Sequence, residues 1–147
     1  MKKMKNMKMI GLVFFAAVLF ITALNAGASE EEIFEIRERM FIQQSYDIYF
    51  NTDEYLGKTV RLEGIYSEFP GGGDREPQPY VYRNAPGCCG DDGMVGFIVL
   101  LDECPAPESN AWVEATGKIE ITGEGEVVLR LSSLKVMEQR GKEFVSD

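Results

Sequence analysis

The sequence contains no histidine and only three cysteines among its 147 residues. Without histidine, the chain cannot form a Ser-His-Asp triad or a Cys-His pair, which removes the commonest nucleophilic catalysts. Three cysteines are also too few for the disulfide scaffold of a small secreted domain, so the fold must depend on its hydrophobic core. We therefore expect a binding protein and not an enzyme.

Two further site types lack their characteristic residues. The three glycines at positions 71–73 are not followed by Lys-Ser or Lys-Thr, so they do not form a phosphate-binding loop. The acidic pair at 91–92 lacks the alternating oxygen ligands of an EF-hand calcium loop. Nucleotide binding through a phosphate loop and EF-hand calcium binding are thereby excluded.

The N-terminus has the pattern of a secretory signal peptide. Four lysines lie within the first eight residues, an apolar run covers residues 9–24, and residues 26–28 have the small-x-small pattern of a cleavage site. The run is shorter than the ~20 residues that a membrane-spanning helix needs. We predict a signal peptide over residues 1–28 and a periplasmic or extracellular protein. The alternative is an uncleaved anchor, which would hold the protein on the outer face of the cytoplasmic membrane.

The chain is acidic, with 15 basic and 24 acidic residues and a net charge of −9. The predicted signal peptide contains four lysines and no acidic residue, so its removal would change the net charge to −13. Such a surface repels nucleic acid and suits cations or a basic protein partner. We expect no nucleic-acid binding.

The remaining 119 residues are enough for one domain. Residues 29–54 are predicted to be helical or irregular: Ser29 can cap a helix with three glutamates in its first turn, and Ile33, Ile36 and Met40 have helical spacing. Residues 46–50 fit either a helix or a strand.

Residues 55–147 are predicted to be mainly β. Alternating or continuous apolar patterns indicate five strands, and glycines 64 and 117 within them indicate bulges or bends. The run at 96–101 is apolar throughout, which is typical of a strand buried on both faces. We predict a small five-stranded barrel of the OB type, with a β-sandwich as the alternative. The predicted strands are 59–69, 80–83, 96–101, 112–121 and 127–136.

The adjacent cysteines Cys88 and Cys89 are the strongest candidate for a functional site. Glycines 87 and 90 flank them and permit a turn that brings both sulfurs to one side. If the loop with Cys104 lies at the same end of the barrel, three thiolates and a carboxylate from Asp91 or Asp92 could bind zinc or another thiophilic metal ion.

Two other interpretations of the cysteines remain open. A disulfide could join Cys104 to Cys88 or Cys89, whereas a bond between the adjacent pair would be strained and easily reduced. Alternatively, the cysteines could be small core residues without chemistry. In the disulfide case we expect a protein-interaction module of the cell envelope.

Three segments together resemble a known family. They are residues 55–64, the turn at 88–92, and residues 112–117. They are similar to the G-K-x-V-x-x-x-G strand, the C-C-x-A-D motif and the W-V-x-V-x-G strand in the C-terminal domain of the YcgQ-type bacterial proteins, with Asp91 in place of the alanine. The resemblance implies an OB-like barrel and an accessory role beside a membrane permease, with metal transport as one possibility.

Overall fold

A computed structural model describes residues 32–71 and 76–146, except for the side chains of Asp91 and Asp92. The fold given below is that of the compact unit Glu32–Asp147. The predicted signal peptide lies outside the described residues. Among the described helices, none combines the length and the apolar character needed to cross a membrane.

The described chain is mainly β, as the sequence predicted. Its helical part is small: a 3₁₀ turn at Glu38–Met40, helix α1 at Phe41–Phe50 and a single turn α2 at Thr52–Tyr55. The six strands are β1 (Ile33–Glu35), β2 (Thr59–Phe69), β3 (Gln78–Gly87), β4 (Gly90–Leu100), β5 (Trp112–Ile121) and β6 (Val127–Val136).

The six strands form one mixed sheet in the order β1-β2-β3-β4-β6-β5. An additional antiparallel pairing joins β2 to β5, so that the pairings of β2 to β6 run in a closed ring. Within the ring only β4 and β6 are parallel. Strand β1 pairs in parallel with the first residues of β2, which pair with β5 along their other edge. Three strands, β2, β5 and β6, have the predicted bounds.

The predicted helix at the start of this unit is wrong for Ile33–Glu35, which form strand β1. These residues pair with Thr59–Arg61, and the next amide, of Ile36, donates to the carbonyl of Arg61 at 2.8 Å. The backbone hydrogen bonds to β2 therefore determine the conformation of these residues, although their apolar side chains have helical spacing. The helix begins only at Phe41, and the ambiguous residues 46–50 belong to it.

Strands β3 and β4 are longer than predicted because the hairpin continues through residues that usually interrupt strands. Pro79 keeps its place in the ladder opposite Glu68, and the register shifts only between Ala85 and Gly87. Strand β4 is also not buried on both faces. Its Val95, Phe97 and Val99 are buried, whereas the alternate side chains are half-buried or exposed.

The core fills the interior of the ring and the space under α1. Helix α1 contributes Phe41 and Ile48, which are almost completely buried. Bulge geometry is confirmed at Gly117, where the β5–β6 register shifts and an added Cβ would lie 2.2 Å from the carbonyl oxygen of Arg130. The fully buried side chains of the strands include Val60, Leu62, Tyr66, Val81, Phe97, Val99, Val113, Ile119 and Leu129.

Candidate functional site

Cys88 and Cys89 are the two residues of the tight turn between β3 and β4. Gly87 and Gly90 form the last pair of the ladder, which leaves only the cysteines in the loop. Gly90 has φ of 122°, a conformation that glycine adopts at little cost and other residues resist. Both cysteines are exposed, and their Sγ atoms lie 3.5 Å apart. The turn therefore presents two thiols together at the tip of a hairpin.

This separation fits a pair of thiols that can bind one metal ion. A disulfide would require an S–S distance of about 2.05 Å, and both cysteines are free thiols. Two thiolates at 2.3 Å from one tetrahedral zinc ion are ~3.8 Å apart. The observed 3.5 Å between the two Sγ atoms is close to that value. The structure thus places the sulfurs of Cys88 and Cys89 close together, and their binding of a metal ion stays a prediction.

The structure does not bring Cys104 to this pair. Cys104 lies in the turn after β4, where its amide donates to the carbonyl of Leu101 at 2.7 Å. The cysteine pair precedes β4, and an 11-residue strand extends for on the order of 30 Å between the two turns. Cys104 is half-buried against the core and is a free thiol. Neither the three-cysteine metal site nor a disulfide between Cys104 and the pair is formed, because the two loops are at opposite ends of β4.

The two acidic candidates directly follow the turn. Asp91 and Asp92 are the second and third residues of β4, and the described structure does not include their side chains. Within the described part of the chain, no group of three or more Cys, Asp or Glu side chains is arranged to hold a metal ion.

A buried arginine in the hairpin strand β3 was not predicted from the sequence. Arg83 is 2 % exposed, and its Nε donates to the carbonyl oxygen of Glu63 at 2.8 Å. Its Nη1 contacts both the carboxylate of Glu38 and the carbonyl of Lys142 at 3.1 Å. The sequence contained a signal for this burial. Arg83 lies two residues from both Val81 and Ala85, so its side chain is on the same inward-facing side of the strand as theirs.

Two aromatic rings enclose the Arg83 guanidinium. Its central carbon lies 4.9 Å from the ring centre of Phe41 and 4.8 Å from that of Trp112, within the range of cation–π attraction. The backbone amide of Lys142 and the Arg83 guanidinium together lower the pKa of Glu38 below its usual value, the amide having the larger effect. Arg83 thereby joins three parts of the fold: the 3₁₀ turn, strand β2 and the C-terminal segment.

A polar cavity of about 260 Å³ lies beside this network, between β2 and the segment that follows β1. Its lining is charged and includes Arg61, Glu63 and Glu114. The buried Nε of Arg61 has no hydrogen-bond partner among the described residues. Because carboxylates outnumber the guanidinium groups in this lining, the cavity does not have the charge of an anion site.

The sequence model of one protein family matches most of the chain. It is that of the DUF1980 C-terminal domain, and the match covers residues 21–145. The matched range contains every strand of the fold, the cysteine turn and Cys104. No curated protein matches the chain.

Proposed function

The chain belongs to the family of DUF1980 C-terminal domains, and from the exposed thiol pair we propose that it is a metal-binding accessory protein of the cell envelope. In this proposal Cys88 and Cys89 bind one thiophilic metal ion, zinc being the first candidate, and present it to a partner such as a membrane permease. The protein acts by binding and carries out no catalysis.

The single observation that carries the proposal is the 3.5 Å separation of the two exposed Sγ atoms. Thiolates are preferred ligands for zinc and for softer ions such as Cu(I). Two thiolates occupy half of a tetrahedral coordination sphere, so two positions are available to Asp91 or Asp92, to water, or to a ligand from a partner. An ion held in this way at a protruding turn is accessible to an incoming protein, as transfer requires.

We further propose that the ring of strands is an OB-like barrel. Counted from β2, the pairing runs first, second, third, fifth, fourth and back to first, which is the order of a five-stranded Greek-key barrel of this type. The long strand β2 supports this choice over a β-sandwich, because it pairs with β3 through one half and with β5 through the other. In this arrangement the cysteine turn is one of the loops at the barrel rim.

The proposed location is the outside of the cytoplasmic membrane. It rests on the basic and apolar N-terminal sequence, which either directs export or anchors the chain. A net charge of −13 after cleavage would raise the local concentration of cations near the protein. The acidic surface therefore favours metal capture and is unfavourable for nucleic acid.

The test compares metal binding by three versions of the full chain under reducing conditions without chelator. Equilibrium dialysis against Zn²⁺ should give one tightly bound ion per chain for the original protein. Cys89→Ser should lose this ion, whereas the matched control Cys104→Ser should retain it, because Cys104 lies at the other end of β4.

Equal zinc content in the original protein and Cys89→Ser would overturn the proposal. A protein that binds no zinc, has a Cys88–Cys89 disulfide in air and captures a defined partner would instead support the interaction-module alternative.

A further inference from the structure

A second cavity lies between α1 and the β3–β4 hairpin, and the described residues that line it do not include a cysteine. Its volume is about 250 Å³, and four tyrosines line it together with Met94 of β4. Two of these tyrosines come from the helix and two from β3. They are Tyr46, Tyr49, Tyr80 and Tyr82.

Neighbouring aromatic rings hold this lining in place. Tyr49 stacks on Phe97 with ring centres 5.1 Å apart, and its hydroxyl donates to the carbonyl oxygen of Gly96 at 2.7 Å. On the opposite wall, Phe69 packs edge-on against both Tyr80 and Tyr82, with ring centres 5.4 Å apart in each case. The walls are therefore formed before a ligand arrives, which reduces the entropic cost of binding.

The electrostatic character of the cavity favours a positive charge. Among the described residues that line it, none is Lys, Arg, Asp or Glu. Burial raises the pKa of Tyr49 and of Tyr80, and the negative charge of Glu126 raises that of Tyr80 further. Tyr49 and Tyr80 are therefore neutral at physiological pH, and the aromatic rings of the lining have electron-rich faces. Such faces attract cations, and the net charge of −9 on the whole chain acts in the same direction.

The size and the polarity of the lining indicate which kind of cation fits. Binding sites for whole drug-sized molecules usually have volumes of ~300 Å³ or more, so this cavity suits a single head group. A primary ammonium group requires hydrogen-bond acceptors for its three protons, and the described lining offers no carboxylate. A quaternary ammonium group has no protons to donate, and its methyl groups can pack against the rings and the thioether of Met94.

We propose that the tyrosine cage of Tyr46, Tyr49, Tyr80 and Tyr82 binds a quaternary ammonium group of the choline type. This site goes beyond the proposed metal function and is independent of the cysteines. The group can come from a free small molecule or from the head group of a phospholipid.

The test is a calorimetric titration of the full chain with choline chloride, accompanied by the NMR signal of the Met94 methyl group. Choline should bind at one site and shift this signal. The uncharged isostere, in which a tert-butyl group replaces the trimethylammonium group, should bind at least about tenfold more weakly because it lacks the cation–π attraction. Equal binding of the two compounds, or no binding of choline, would overturn the proposal.

Two substitutions of Tyr46 test whether its aromatic ring contributes to binding without disturbing the fold. Tyr46 is 47 % exposed, so changes at this position should leave the fold intact. Tyr46→Leu should weaken choline binding by about tenfold, whereas Tyr46→Phe keeps the ring and should retain it. If both variants bind like the original protein, the tyrosine ring is not part of the site and the proposal fails.

Vesicles of phosphatidylcholine test whether the quaternary ammonium group belongs to a phospholipid head group or to a free small molecule. Sedimentation of the protein with these vesicles, reduced by free choline and by Tyr46→Leu, indicates a lipid head group. Binding of free choline without sedimentation indicates a small molecule. Cys89→Ser should leave both results unchanged, so failure of the cage and failure of the metal site are distinguishable.

Discussion

The Nε of Arg83 donates to the carbonyl oxygen of Glu63 at 2.8 Å, at the point where β2 and β3 stop pairing. The last pair of their ladder is Ile65 with Tyr82, and beyond it the two strands diverge. The Arg83 side chain bridges this opening and also binds Glu38 and the carbonyl of Lys142. Because Arg83 lies midway along β3, opposite Val95, this network fixes the middle of the hairpin whose tip carries the proposed site.

We predict that Arg83→Met destabilises the protein by about 3 kcal/mol, because the backbone acceptors of Glu63 and Lys142 would lose their buried, charged donor. Methionine retains much of the packing between Phe41 and Trp112, so the loss reports on the hydrogen bonds. Urea denaturation followed by Trp112 fluorescence measures this change in the free energy of unfolding.

Arg130→Met is the matched control for this experiment. Arg130 also binds two carboxylates, those of Asp102 and Glu120, but its side chain is 43 % exposed. Solvent screens such pairs, so we expect a much smaller loss than at Arg83. Equal effects of the two substitutions would contradict the role given to Arg83.

The stability contributed by Glu38 should depend on pH. Its contacts with the Lys142 amide and with Arg83 lower its pKa below the ordinary value of 4.5, so the folded state binds this proton less readily than the unfolded chain. The contribution is therefore complete above pH 4.5 and is lost as the pH falls through the lowered pKa.

The variant Glu38→Gln isolates this contribution. Because the Glu38 side chain is 44 % exposed, we expect Glu38→Gln to cost no more than about 1 kcal/mol at neutral pH. The difference in unfolding free energy between the two proteins should shrink as the pH falls below 4.5. A difference that stays constant down to acid pH would show that the carboxylate charge does not stabilise the fold.

The bulge at Gly117 should not tolerate a side chain. A Cβ at this position would lie 2.2 Å from the carbonyl oxygen of Arg130, so β5 and β6 would have to move apart. We predict that Gly117→Ala costs about 2 kcal/mol, within the range for overpacking a core. Gly123→Ala is the control, because an added Cβ there meets no atom within 4 Å. Thermal denaturation of both variants should show a lower midpoint for Gly117→Ala alone.

The three thiols should differ in reactivity towards a maleimide under reducing-agent-free conditions. Cys88 and Cys89 are exposed at the turn, whereas Cys104 is half-buried against the core. We predict two rapidly modified cysteines and one slower one, with the fast pair protected by Zn²⁺. Peptide mapping identifies the modified positions, and rapid modification of Cys104 would contradict its packing.

The sequence predicted the strands because their signal is local. The apolar alternation of β2, β5 and β6 marks their bounds, and Gly117 marks the bulge. Strand β1 was not predicted, since its three residues become a strand only through hydrogen bonds to β2. Likewise, β3 was predicted too short because Pro79 and Pro86 are residues that usually interrupt strands. In the structure, the pairing of β3 with its neighbouring strands continues past both prolines, and the sequence of one strand does not show this pairing.

The candidate site was only partly accessible from the sequence. The glycines beside Cys88 and Cys89 indicated the turn, because the conformation of Gly90 is a local property. The separation of Cys104 from the pair depends on the length of β4, which the apolar pattern underestimated. The surroundings of Arg83 and the tyrosine cage depend on contacts between distant segments, and a pattern along the chain does not show these.

The most direct test of the central proposal is native mass spectrometry of the full chain, purified with a phosphine reductant and without chelator, then mixed with one equivalent of Zn²⁺. We predict a mass increase of one zinc ion with the loss of two thiol protons, abolished when Cys88 and Cys89 are both changed to serine and unaffected by Cys104→Ser. A protein that stays metal-free, or a double variant that still binds zinc, would contradict the proposal that this turn is a metal site.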